Sequence, residues 1–176
     1  LNIAGGGRVS AADAYLRPAL RRRNVELTTG TLVTRIVVEN GRAAGVETLR
    51  DGRREVARAR REVVVCAGSI GSPQLLQLSG IGPGSLLAGL GIPVVADNPN
   101  VGAHLQDHQS INYAWRANVR TLNHLLRTWW GKALIGARYV ATRTGPLAMS
   151  VNQGGGFLRT DPAPGRPNMQ AYFQAS

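Results

Sequence analysis

Residues 66–83 read CAGSIGSPQLLQLSGIGP, five glycines or alanines and two prolines around one short apolar segment. Immediately before it, residues 62–67 (EVVVCA) form a continuous apolar run of the kind expected of a strand covered on both faces. Ser72 and Pro73 supply an N-cap and a proline for the first helical position, and Gly80 supplies a stop. A brief helix is therefore expected over residues 74–78. Strand, small-residue turn and helix in that order form the ligand-facing edge of an α/β sheet. Residues without bulk at the end of such a strand, here Ala67, Gly68 and Ser69, let a ligand or another chain segment approach the backbone, although tight turn geometry alone would use the same residues.

The flanks extend this pattern. Upstream, Ser10 and Asp13 stand at capping-box spacing and open a short helix through Tyr15 and Leu16, which Pro18 interrupts or restarts. Residues 25–58 are rich in β-formers, and Asn40-Gly41 and Asp51-Gly52 are hairpin signals, so the segment reads as an antiparallel meander with Val33, Ile36, Val37 and Val46 among its apolar positions. Downstream, a second short helix is expected over 85–90 and a short strand over 92–96. Beyond His108 come a strand-like run to Trp115, an amphipathic helix over about 122–142, and two strands, 149–158 and 169–174, joined by a proline-rich connection. Helical spacing from Trp129 and Trp130 to Leu125, Leu126 and Ala133 predicts core packing for the tryptophan pair.

Composition narrows the function classes. A chain of 176 residues with 43% hydrophobic content can bury a core. Its formal charge of +11 rests almost wholly on arginine, a field that attracts polyanions, so a basic nucleic-acid-binding module is one reading. The arginines are spread from Arg8 to Arg166 with few aromatics between them to stack bases, which favours solvated faces over a nucleic-acid surface, and no specific nucleic acid is expected. The single cysteine, Cys66, makes no internal disulfide and is expected as a buried thiol; cytoplasm is the compartment this favours. No stretch reaches the roughly 18 apolar residues of a spanning helix, so no membrane segment is expected, and no signal-peptide pattern opens the chain.

Two motifs mislead. Residues 80–85 (GIGPGS) approximate the dinucleotide fingerprint GxGxxG, but Ser85 occupies the third glycine position and a helix rather than a strand precedes them. His104, Asp107 and His108 would suit zinc on a helix, yet the preceding turn-rich stretch places them on a loop, and no metal is expected. No GxSxG elbow is present, and nothing near Cys66 activates it as a nucleophile.

Taken together, residues 68–82 (GSIGSPQLLQLSGIG) resemble a signature of the glucose-methanol-choline oxidoreductases, flavoenzymes that oxidise alcohols. Residues 8–16 (RVSAADAYL), 29–33 (TGTLV), 91–95 (GIPVV), 100–108 (NVGAHLQDH) and 142–146 (TRTGP) follow in family order and resemble its choline-dehydrogenase-like branch. The resemblance implies FAD as cofactor, an alcohol as substrate and an electron acceptor it does not specify. It implies the middle of such an enzyme, since neither the family's N-terminal GxGxxG strand-helix turn nor its C-terminal catalytic histidine matches any segment here. No catalytic residue is therefore expected in the chain, which alone should neither retain FAD nor oxidise alcohols.

By the same resemblance, residues 1–111 are part of a Rossmann-like, mixed α/β FAD-binding domain with a β-meander. Residues 112–176 are then part of a substrate domain of sheet and helices. Val33 is expected to contact the FAD adenine through its backbone, Ala67 and Gly68 to lie beside the dinucleotide, and Asn152 and Gln153 to neighbour the substrate pocket. His104 departs from the family pattern, which has asparagine before Leu-Gln-Asp. A net positive charge offers nothing to a cationic alcohol such as choline. A noncatalytic interaction domain of the same fold is the remaining alternative.

Overall fold

The computed structural model describes residues 3–150, 152–162 and 165–174 of a mixed α/β chain. It forms two compact units, one comprising Leu27–Ile111 and the other Leu1–Glu26 with Asn112–Ser176. The N-terminal segment opens the latter with a small hairpin, β1 (Ile3–Ala4) against β2 (Gly7–Arg8). A wide, π-type turn at Ala12–Leu16 then passes into a single α turn, α1 (Arg17–Ala19), so Pro18 restarts the helix rather than ending it. The expected capping box is present: the Ser10 backbone N–H and hydroxyl both donate to Asp13 Oδ2, at 3.1 and 2.6 Å, while the Asp13 N–H donates to Ser10 Oγ. These bonds, and secondarily Arg17, hold the Asp13 carboxyl below its ordinary pKa.

The unit Leu27–Ile111 begins with the meander. Strands β3 (Leu32–Glu39), β4 (Arg42–Arg50) and β5 (Arg53–Arg58) run antiparallel in that spatial order. Both turns have left-handed central residues, Asn40 and Gly41 at φ 51° and 74°, Asp51 and Gly52 at 48° and 75°, as the type I′ hairpin requires. The strand starts at Leu32 rather than Val25 because its partner, β4, ends at Arg50 and turns away, leaving nothing for earlier residues to pair with. Glu47 on the central strand binds the sheet laterally: Thr34 Oγ donates to its carboxylate at 2.7 Å, Arg54 Nη1 at 2.6 Å and Arg35 Nε at 3.1 Å. The Thr34 bond first, then the two arginines, depress the Glu47 pKa.

Residues 62–67 correct the expectation of a doubly covered strand. They form no strand among the described residues. Val63 and Val65 turn inward toward an apolar groove, whereas Val64 is 73% exposed and Cys66 is an exposed thiol rather than a buried one. An apolar run becomes a two-sided strand only where both flanks have partners, and here one face alone is covered.

The helix after it, α2 (Gly68–Leu78), starts six residues earlier than expected. Ser72 lies inside it, and its hydroxyl accepts from the Ala67 N–H at 3.1 Å, back toward the turn. Pro73 falls in the second turn, where its missing N–H deprives only the Ser69 carbonyl of a helical partner. The stop is where it was expected. Gly80 takes φ 83°, and a Cβ there would collide with the Pro93 carbonyl oxygen. The Gly80 carbonyl accepts from the Val95 and Ala96 N–H groups at 2.8 and 3.1 Å. Beyond it β6 (Ile81–Gly82) leads into α3 (Gly84–Gly89), and the strand expected over 92–96 shrinks to β7 (Ala96–Asp97), parallel to β6. Leu87 of α3 is fully buried.

In the other unit, residues 109–115 form no strand, and the single helix expected over 122–142 is two, α4 (Leu122–Leu126) and α5 (Trp129–Thr142). Thr128 breaks them by capping α5, its Oγ accepting from the Gly131 N–H at 3.1 Å. Gly131 and Ile135 form the buried side of α5. Trp129 and Trp130 stack on each other but are 63% and 67% exposed, so the expected core packing of the pair is not found. After a short 3-10 turn at Pro146–Ala148, β8 (Asn152–Leu158) pairs antiparallel with β9 (Met169–Gln174). Gly6 of the N-terminal hairpin packs on the Arg143 backbone, joining the two segments of this unit.

Two outcomes follow from these contacts. Gly80→Ala places a side chain where both the left-handed backbone and the Pro93 carbonyl oppose it, and should lower unfolding stability by more than about 1 kcal/mol, read as a lower urea midpoint. Glu47 has a depressed folded pKa, so its contribution is present above the ordinary carboxylate range and lost as pH falls through the folded value. Wild type should therefore exceed Glu47→Gln in thermal midpoint at neutral pH, with the gap closing on acidification.

Candidate functional site

The first turn of α2 holds two of the residues the sequence singles out, Ala67 and Gly68. Ala67 is the N-cap and Gly68 the first helical residue, at φ 84°, a conformation that L side chains rarely adopt. A Cβ built on Gly68 meets nothing within 4 Å, so the space over the turn is open. The early N–H groups of a helix have no helical partner, and the first turn of α2 holds no acidic side chain to oppose an anion. Cys66 and Ala67 are exposed beside it.

Val33 lies on β3, at an edge of its sheet: β4 alone pairs with β3 among the described residues, leaving the outer flank without a strand. Val33 is opposite Thr48, next to the irregularity at Thr34, and is partly exposed. Strand and helix turn are coupled through the far end of α2. Ser79, 7% exposed, accepts at Oγ from the Ile36 N–H of β3 at 2.7 Å and donates to the Leu75 carbonyl at 2.6 Å. Gln77 adds a second tie, its Nε2 donating to the Val101 carbonyl at 2.9 Å. Between the sheet and α2 runs a groove of about 300 Å³ lined by apolar residue types, including Ile36, Val38, Val63, Val65 and Leu76. It suits packing, not chemistry.

Asn152 and Gln153 lie in β8, in the other unit. Asn152 is exposed and opposite Gln174, with an irregularity between it and Gly154. The histidines are engaged locally: His104 Nε2 lies 3.2 Å from Asn100 Oδ1, and His124 Nδ1 accepts from the Thr121 N–H. The His108 N–H donates to Asp107 Oδ1. Among the described residues no group of three or more His, Cys, Asp or Glu could hold a metal ion. No described helix is long and apolar enough to cross a membrane. Sequence reasoning gave no role to Ser79 or Gln77. The available signal was a serine immediately before the stop glycine, since a helix-terminal hydroxyl can bond the carbonyl four residues back and still accept.

The GMC oxidoreductase family model matches residues 1–110. The chain belongs to the GMC oxidoreductase family. It is 46% identical over 171 residues to an oxygen-dependent choline dehydrogenase of Rhizobium johnstonii and 42% identical over 168 residues to one of Burkholderia vietnamiensis. These matches cover 97% and 96% of the chain but only 31% and 30% of those proteins, so the chain spans about a third of their length. Among solved structures, an FAD-dependent oxidoreductase from Chaetomium thermophilum matches with TM-score 0.74 and 30% identity, over 85% of this chain and 27% of that one. A fungal aryl-alcohol oxidase matches with TM-score 0.70 and 27% identity, over 88% of this chain and 27% of its own. This GMC chain thus shares the mixed α/β fold of the matched parts of those structures.

The exposure of Cys66 is directly measurable. The thiol of the native chain should be alkylated by iodoacetamide to completion at a rate close to that of the urea-unfolded chain, followed by mass spectrometry. A native rate a hundredfold slower would restore the buried assignment.

Proposed function

We propose that this chain is part of an FAD-dependent enzyme that oxidises the CH–OH group of an alcohol. Residues 1–111 contribute to its FAD-binding portion and residues 112–176 to its substrate portion. What carries the reading is the combination, within one compact unit of a GMC chain, of an edge strand bearing Val33 and an open, acid-free helix start at Ala67 and Gly68. The residues fit the cofactor. The Val33 backbone, on a strand whose outer flank no strand pairs among the described residues, is available to the adenine edge. Ala67 and Gly68 let the dinucleotide lie against the backbone, and the N–H groups of the first turn of α2, which have no helical acceptor, favour its negative charge.

When bound, FAD supplies the hydride acceptor for the alcohol carbon. The chain's own contribution is binding and orientation. In the substrate portion, the Asn152 amide can both donate to and accept from a hydroxyl, with Gln153 beside it in the strand. His104, His108 and His124 are assigned no proton transfer. The relatives named choline dehydrogenases make choline the first alcohol to test, although the chain's positive charge favours neutral alcohols over it.

The experiment is purification of the full-length product of the gene encoding this chain, followed by its visible spectrum and anaerobic addition of choline or a neutral alcohol. Stoichiometric flavin absorbance that bleaches with one of these alcohols is expected, and Gly68→Val should lower flavin content at least several-fold. A colourless protein, or one that binds nucleic acid with steep salt dependence, would overturn the proposal.

A further inference from the structure

We infer that Ser79 is a positioning residue that sets the register of α2 against β3 and thereby holds the two halves of the dinucleotide site in one geometry. The inference rests on the FAD reading above and names a residue to which that reading gives no contact with the cofactor.

Ser79 is the C-cap of α2 and is buried, while its hydroxyl is used twice, as acceptor for the Ile36 N–H at 2.7 Å and donor to the Leu75 carbonyl at 2.6 Å. Ile36, itself buried, is three residues from Val33 on the same strand. The Ala67–Gly68 turn is at the opposite end of the same helix, about 16 Å away for eleven residues. A helix is stiff over that length, so fixing its C-terminus against Ile36 fixes where its N-terminus falls relative to Val33. The bond also spans the outer flank of β3, which no strand occupies among the described residues.

The position resists sliding for a second reason. The residue after Ser79 is Gly80, clamped by the Pro93 carbonyl on one side and by the Val95 and Ala96 N–H groups on its own carbonyl. Gln77, one turn earlier, is tied to Val101, and a Cβ on Gly102 would strike its amide. These contacts hold the end of α2 to the segment 93–102. Ser79 alone of the three side-chain and backbone ties reaches the strand that bears Val33. Its removal leaves the Ile36 N–H buried without that acceptor, and the sheet can then shift along the helix to find another.

The test uses the full-length protein as apoprotein and holoprotein, in wild type, Ser79→Ala, Ser79→Thr and Leu87→Val. Leu87 is fully buried in α3, has no part in the site, and reports what general destabilisation alone does. FAD dissociation constants are measured by titrating each apoprotein well below its thermal midpoint, and visible circular dichroism is recorded on each FAD complex. Ser79→Ala should weaken FAD binding about tenfold and alter the flavin dichroism, Ser79→Thr should restore both because it keeps the hydroxyl, and Leu87→Val should lower the midpoint with unchanged affinity and spectrum. Equal affinity and dichroism in wild type and Ser79→Ala would overturn the positioning role and leave the FAD reading intact. Should Ser79→Ala fail to fold, Ser79→Cys, a weak donor and acceptor, replaces it under the same criteria. Wild-type apoprotein that takes up no FAD would overturn both.

Discussion

The largely buried Ser79 hydroxyl bridges the end of a helix and the edge of a sheet with two short hydrogen bonds. A buried N–H must be paired, and among the described residues β3 has no further strand to pair Ile36 on that flank, so the helix terminus supplies the acceptor. Much of the unit Leu27–Ile111 is organised around this constraint. It brings the apolar side of α2 over the sheet, sets Leu76 opposite Ile36 and Val38 across the groove, and carries Gly80 into its clasp by Pro93, Val95 and Ala96.

The site inherits its geometry from that scaffold. Ala67 and Gly68, proposed above to lie against the dinucleotide, lack side-chain bulk, and Gly68 carries no penalty for its left-handed backbone. Open space over the turn is a local property of those residues. Their relation to Val33 is not local, since it depends on eleven residues of helix and one hydroxyl at its far end. Substrate contacts, proposed at Asn152 and Gln153, belong to a separate unit whose helices cap themselves through Thr121 and Thr128.

Much of the fold was legible in local chemistry. Asn40-Gly41 and Asp51-Gly52 demand left-handed pairs, so the meander and its order follow from residue types alone. Gly80 as a stop and Ser10 with Asp13 as a cap are similar cases, each decided within four residues. The misreadings share one cause. For residues 62–67, 109–115 and the tryptophan pair the expectation rests on apolar content, which says that a side chain gains by burial but not what buries it. Val64, Cys66, Trp129 and Trp130 are exposed because the described chain covers only one side of their segments.

The start of α2 shows where sequence rules compete. Ser72-Pro73 is a strong N-terminal signal, yet the helix begins at Gly68 because Ser72 turns its hydroxyl back to the Ala67 N–H, and one missing N–H in the second turn is tolerable. By itself the sequence determined the turns, the stops, the family signature and the small residues at Ala67 and Gly68, all of which depend on backbone conformations available to single residues or short spans. Only the tertiary structure decided that Ser79 joins α2 to β3 and that the valine run has one covered face, because pairing a buried donor and covering an apolar face both require partners distant in the chain.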